Sequence, residues 1–174
     1  MSINGIVKTD YRQDYIQYIL NDKYLNCQRC KKYRNFLEYG CGNGEFTKHI
    51  AREYKAVYVI DNSADLIEQA KENLSAFSNI FFVPDGSKLK IDYVFSYSKL
   101  HLMPKELIEK KLEWFHKIMK PKGILKIKLT GMPDGLSEFY TMEDACHLSQ
   151  ETNFRIFKTY GEGRDDFWLW MAKL

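Results

Sequence analysis

Apolar residues along this chain recur with two alternating periods. Short β-branched or aromatic runs stand at Phe36–Tyr39, Ala56–Ile60, Asn79–Val83, Ile91–Tyr97 and Ile124–Thr130. Each is brief and bounded by turn residues, as buried strands are. Between them the spacing becomes helical. The segment from Glu45 to Tyr54 turns Phe46, Ile50 and Ala51 inward, and a second helix runs from Ala64 to Leu74. Lys105 to Lys120 sets Leu107, Ile108, Leu112, Phe115, Ile118 and Met119 on one face, and a shorter helix spans Met142 to Thr152. Two further helical segments, Thr9–Leu20 and Asp22–Tyr33, come before the first strand. Phe154–Tyr160 and Phe167–Lys173 form a closing hairpin. Strands alternating with helices predict a parallel α/β sheet, to which the hairpin adds one antiparallel strand.

Two stretches strain this pattern. Only six residues separate Pro84 from Ile91, too few for a helix. A return from the sheet edge to the far side of the first strand needs ~20–25 Å, near the reach of so short a segment. One sheet face is therefore expected to be thinly covered. Lys126 and Lys128 share one face of the fifth strand, where a parallel core strand should be apolar. An exposed patch on that face, open to a partner, is expected to account for both.

The first strand runs into Glu38-Tyr39-Gly40-Cys41-Gly42-Asn43-Gly44-Glu45. Glycine at every second position permits a sharp turn and a close backbone approach to a ligand. The amides that open the following helix suit a carboxylate or phosphate. The dinucleotide fingerprint Gly-x-Gly-x-x-Gly fails in both registers, because its third glycine falls on Glu45 or on Thr47. Glu45 also opposes a dehydrogenase reading, since it would repel a pyrophosphate.

Glu-x-Gly-x-Gly-x-Gly from Glu38 to Gly44 resembles the class I, Rossmann-like S-adenosylmethionine-dependent methyltransferases, in particular the small methyltransferase type 11 group. Further residues fall in register with that family. Asp61 ends the second strand seventeen residues after Gly44, Asp85-Gly86 follows the third, and Leu100-His101 and Lys120-Pro121-Lys122-Gly123 bracket the long helix. Lys122 stands where the family has a glycine. The resemblance covers residues 35–174, with 1–34 as an N-terminal helical cap carrying Tyr11, Tyr15 and Tyr18. It implies a three-layer αβα sandwich around a seven-stranded, mostly parallel sheet of order 3-2-1-4-5-7-6, with strand seven antiparallel.

The same resemblance implies S-adenosylmethionine as cofactor and assigns its contacts. The backbone of Gly40, Cys41, Gly42 and Gly44 would cradle the methionine end, with Glu38 beneath bonding the loop amides. Carbonyls near Gly40 and Ser96 would receive the ammonium. Asp61 would take the ribose hydroxyls, Asn62 would lie by the adenine face, and Asp85 with Gly86 would read its edge. Asp61 is also placed to cap the next helix, and Asp-Gly is a common turn.

Composition sets the remaining bounds. At 174 residues, with 45% apolar and 15% aromatic residues, the chain suits one well-packed domain. No apolar run reaches the ~18 residues of a membrane helix, and the N-terminus does not read as a signal peptide, so a cytoplasmic location is expected. The net charge of +3 describes a solvated surface rather than a nucleic-acid footprint. Cys27 and Cys30 form a Cys-x-x-Cys with no second half to complete a zinc site, so no metal is expected.

Ser96-Tyr97-Ser98-Lys99 lacks the prolines carried after strand four by enzymes that methylate exocyclic base amines, and the chain contains no Pro-Cys. The acceptor is therefore expected to be a small molecule. Its wall candidates are Tyr97, Ser98, Glu138 and Tyr140, with His101 as a candidate base. The competing reading is a non-catalytic cofactor-binding module or regulatory subunit, with a protein partner or a second copy of the chain.

Overall fold

The computed structural model describes residues 31–97, 100, 103–130, 140–161 and 166–174. The first expected N-terminal helix, the second up to residue 30 and the cysteine pair, together with Ser98, His101 and Glu138, lie outside them. Among the described residues, strands β1 (Asn35–Tyr39), β2 (Ala56–Ile60), β3 (Ile80–Phe82), β4 (Ile91–Ser96), β5 (Met119–Thr130), β6 (Phe154–Tyr160) and β7 (Asp166–Lys173) form one sheet. Its order is β3-β2-β1-β4-β5-β7-β6, seven strands in all. The first five pair in parallel, and β7 runs antiparallel to both β5 and β6. This is the expected Rossmann-like sandwich.

Helices α1 (Thr47–Ala51), α2 (Ala64–Asn73), α3 (Lys105–Ile118) and α4 (Met142–Glu151) flank the sheet. Residues alternate between the two faces of each strand. Phe36, Val57, Val59, Tyr93, Phe95, Trp168 and Trp170 gather on one face with Ile50 and Ala51 of α1 and Ile67 of α2. Leu37, Val94, Leu125, Ile127, Leu169 and Met171 gather on the other with Ile108, Leu112 and Phe115 of α3 and Ala145 of α4.

Helix ends are fastened by side chains. Ser63 caps α2, and Thr141 forms a reciprocal capping box with Asp144 at the start of α4. Lys173 of β7 donates to the carbonyls of His116 and Met119 at 2.7 and 2.8 Å, satisfying acceptors that the end of α3 leaves over. Asp92 at the start of β4 accepts from the Asn35 amide at 2.8 Å and from Lys120 at 2.7 Å. It thus joins β1, β4 and β5 at the edge opposite the glycine loop.

Three expectations are corrected. Leu107 is 49% exposed, because the buried stripe of α3 narrows to Ile108, Leu112, Phe115 and Ile118. The strand β5 begins earlier than expected, at Met119, and its pairing with β4 shifts register between Ile91 and Tyr93. The exposed patch is absent at Lys126, which is 0% exposed. β5 pairs Lys126 with Phe95 on one side and Trp170 on the other. Its ammonium stands 4.9 and 4.3 Å from the ring centroids of Trp168 and Trp170, an arrangement in which aromatic faces offset part of the cost of burying the charge.

The thinly covered region lies on the opposite face. No helix connects β3 to β4, and there Phe81 is 44% exposed while stacked on Tyr58 with centroids 5.4 Å apart.

Lys122, the residue that departs from the family pattern, has a φ of 62°. A side chain in the left-handed region costs ~1–2 kcal/mol. The neighbouring Gly123 is required for space, since a Cβ there would meet the Lys120 carbonyl oxygen at 2.9 Å. Lys122→Gly is expected to stabilise the fold by about 1 kcal/mol, read as a higher denaturation midpoint in urea, whereas Lys122→Ala leaves the midpoint nearly unchanged.

Candidate active site

The parallel strands bring the C-terminal ends of β1, β2, β3 and β4 to one edge of the sheet. The chain order reverses direction between β1 and β4, where a crevice for a ligand forms in open α/β sheets. Tyr39 ends β1 here, and the chain folds back over β2. The Gly40 and Cys41 amides both donate to the Ile60 carbonyl, at 2.8 and 3.2 Å. The Gly42 amide donates to Asp61 Oδ2 at 2.9 Å, and the Ser63 amide donates to Asp61 Oδ1 at 3.0 Å. One carboxylate therefore ties the glycine loop of β1 to the turn after β2.

The glycines divide the work. Gly40, Gly42 and Gly44 have φ values of 90°, 55° and 84°, a region that side chains rarely enter. A Cβ on Gly44 would meet Leu74 Cδ1 at 2.7 Å, so this glycine admits α2 to the loop. A Cβ on Gly42 would meet nothing within 4 Å, leaving its backbone open to a ligand. Gly86, beyond β3, has the same two properties, with φ 85° and open space where a Cβ would stand. The Cys41 thiol is buried within the loop.

Glu38 lies under the loop and is 4% exposed. Its Oε2 accepts a 2.6 Å hydrogen bond from the Thr47 hydroxyl at the first position of α1. The expectation of bonds to loop amides is thus replaced by a side-chain partner. Burial pushes the Glu38 carboxyl up from 4.5 to about 8, against the lowering effect of the Thr47 hydrogen bond, and the Asp61 charge adds to the rise. Ser96 donates its hydroxyl to the Tyr39 carbonyl at 3.0 Å, fastening β4 to β1 at the mouth of the crevice. Asn62 is exposed at the rim.

Asp85 joins the group through Tyr39. The Tyr39 hydroxyl donates to Asp85 Oδ2 at 3.1 Å, and Lys111 Nζ of α3 reaches the two carboxylate oxygens at 2.6 and 2.5 Å. Burial, then the nearby Asp85 charge, holds the Tyr39 phenol well above its ordinary value. All ten expected site residues therefore gather at this edge. Thr47, Tyr39 and Lys111 are neighbours of these residues that the sequence did not single out. Thr47 was legible as the hydroxyl residue closest after the loop, whereas no local signal pairs Lys111 with Asp85. Tyr140, a wall candidate, is buried in the core beside α4. Tyr97 stacks on Trp168 with centroids 5.8 Å apart. Among the described residues no cluster of His, Cys, Asp or Glu is arranged to hold a metal ion, and no helix is long and apolar enough to cross a membrane.

A family model described as "Methyltransferase domain" matches residues 36–123, from the first strand through the glycine loop to Gly123. The chain belongs to this family and is a class I, Rossmann-like S-adenosylmethionine-dependent methyltransferase. No curated protein matches it. Solved structures with the same fold include magnesium protoporphyrin IX methyltransferase (ChlM) from Synechocystis PCC 6803 with bound S-adenosylhomocysteine. It is 17% identical with a TM-score of 0.79, and the match covers 100% of this chain and 90% of that one. N-methyltransferase NodS from Bradyrhizobium japonicum WM9, in complex with S-adenosylhomocysteine, matches at 16% identity and a TM-score of 0.74, over 96% of this chain and 89% of that one. A methyltransferase from Clostridium acetobutylicum matches at 10% identity and 0.77, over 95% and 93%.

The raised Glu38 value makes stability depend on pH. Between pH 4.5 and about 8 the folded chain keeps a proton that the unfolded chain has lost. Stability therefore falls as pH rises through this window and levels off above it. Glu38→Gln retains an oxygen for the Thr47 hydroxyl and removes the titration. Its melting temperature is expected to lose that decline, measured from pH 5 to 9 against the parent protein.

Proposed function

We propose that this enzyme transfers a methyl group from S-adenosylmethionine to a small-molecule acceptor, with the cofactor lying across the C-terminal ends of β1, β2 and β3. The observation that carries this reading is the pairing of Gly42, open where a Cβ would stand, with Asp61 held against its amide. The residues fit the cofactor in chemistry as well as in place. A backbone without side chains admits the methionine end closely, and a carboxylate can accept several hydrogen bonds at once. Asp61 thus takes the ribose hydroxyls while still anchoring the loop.

Gly40, Cys41, Gly42 and Gly44 hold the amino-acid end, with carbonyls near Gly40 and Ser96 receiving its ammonium. Glu38, through Thr47, braces the loop from below. Asn62 lies by the adenine, and Asp85 with Gly86 meets its edge. When bound, the cofactor supplies a methyl already made electrophilic by its sulfonium, so the chain's task is positioning and exclusion of water. Residues 35–174 form the methyltransferase domain, and the protein works in the cytoplasm.

A small acceptor is supported by Ser96-Tyr97-Ser98-Lys99, which lacks the prolines of base-amine methyltransferases. It is also supported by likeness to an enzyme named for magnesium protoporphyrin IX.

Calorimetric titration tests the cofactor reading. S-adenosylmethionine and S-adenosylhomocysteine are expected to bind at micromolar levels and NAD not at all. Asp61→Asn, which keeps the shape and removes the charge, should weaken both by about tenfold or more, as loss of charged hydrogen bonds does. Absence of binding by the folded parent protein would overturn the proposal.

A further inference from the structure

The connection from β3 to β4 has no helix, yet the residue expected to read the adenine edge sits in it. Something else must hold Asp85. Lys111 projects from the middle of α3, and its ammonium contacts both Asp85 oxygens. It also stands 4.9 Å from the ring centroids of Tyr39 and of Trp114. The Lys111 side chain is only 16% exposed, so its stem and charge are enclosed by two aromatic faces and one carboxylate. Tyr39 completes the arrangement, donating its hydroxyl to Asp85 Oδ2 from a ring packed edge-on against Phe115 of α3.

We propose that Lys111 is a positioning residue for nucleobase recognition. It fixes the Asp85 carboxylate at a set angle where the adenine amine meets it, and so replaces the helix that this connection lacks. The inference rests on the reading of Asp85 as the adenine-edge residue. A carboxylate on an exposed turn rotates about two side-chain bonds, and ordering it on binding costs entropy. A charge-assisted contact from a half-enclosed ammonium removes that cost beforehand. A carboxylate oxygen accepts hydrogen bonds, which favours an amine over a carbonyl on the base. The Tyr39 hydroxyl adds a second donor from a different direction, so the carboxylate plane is defined by two partners rather than one.

The test compares S-adenosylhomocysteine with S-inosylhomocysteine, in which the exocyclic amine is replaced by oxygen, on the intact chain by calorimetry. The parent protein is expected to prefer the adenine compound. Lys111→Met keeps the apolar stem, and it should weaken that compound about fivefold, the size of a well-formed ion pair, while changing the inosine compound much less. The preference then shrinks. Lys111→Arg should restore it, and melting curves confirm that both variants fold. Equal weakening of both compounds by Lys111→Met would mean a structural role only and would overturn the proposal. A parent protein that binds S-adenosylhomocysteine without preferring it would overturn the Asp85 reading and the inference with it. No binding of either compound would overturn the cofactor site itself.

Discussion

The Asp61 carboxylate is the constraint on which the site depends. It accepts one amide from the glycine loop and one from the turn that starts α2, and so converts two flexible connections into one surface. Glycine residues give the loop its conformations but no reason to keep any of them, since glycine loses more freedom on ordering than other residues. The ordering comes from outside: Asp61 above, the Ile60 carbonyl behind, and the buried Glu38–Thr47 contact below. A short acidic side chain at the end of β2 suffices for this, because its two oxygens reach one amide on each side.

Around this centre the chain manages an abbreviated fold. A full helix between β3 and β4 would cover the face where Phe81 and Tyr58 remain partly open. The connection is instead drawn onto α3 by Lys111 and onto β1 by Tyr39. The opposite face is closed over two aromatic rings and a lysine. The pairing of β5 with β7 places Lys126 beside Trp168 and Trp170, and a charge that looks misplaced in the strand finds faces able to receive it.

How much of this was legible follows from the range of each interaction. The sheet was visible because apolar period and glycine turns are local signals, and the strand order followed from the resemblance once Glu38–Gly44 and Asp61 fell in register. The missing β3–β4 helix was visible as a six-residue gap. What escaped notice depends on partners brought together by the sheet. Lys126 reads as exposed until β7 is laid against β5. Lys111 reads as an ordinary solvated lysine until the crossover passes over α3. Leu107 reads as inward because helical spacing alone cannot tell the edge of a buried stripe from its centre. Lys122 shows the converse: its place in a family pattern was plain, but the positive φ that makes glycine suitable there appears only in the backbone.

The most direct test of the central claim is a crystal structure of the protein grown with S-adenosylhomocysteine. The amino-acid end is expected against Gly40–Gly44, the ribose hydroxyls on Asp61 and the adenine beside Asp85 and Gly86, with the Gly42–Asp61 contact kept. Ligand found elsewhere on the chain, or a glycine loop that must break from Asp61 to admit it, would contradict the account.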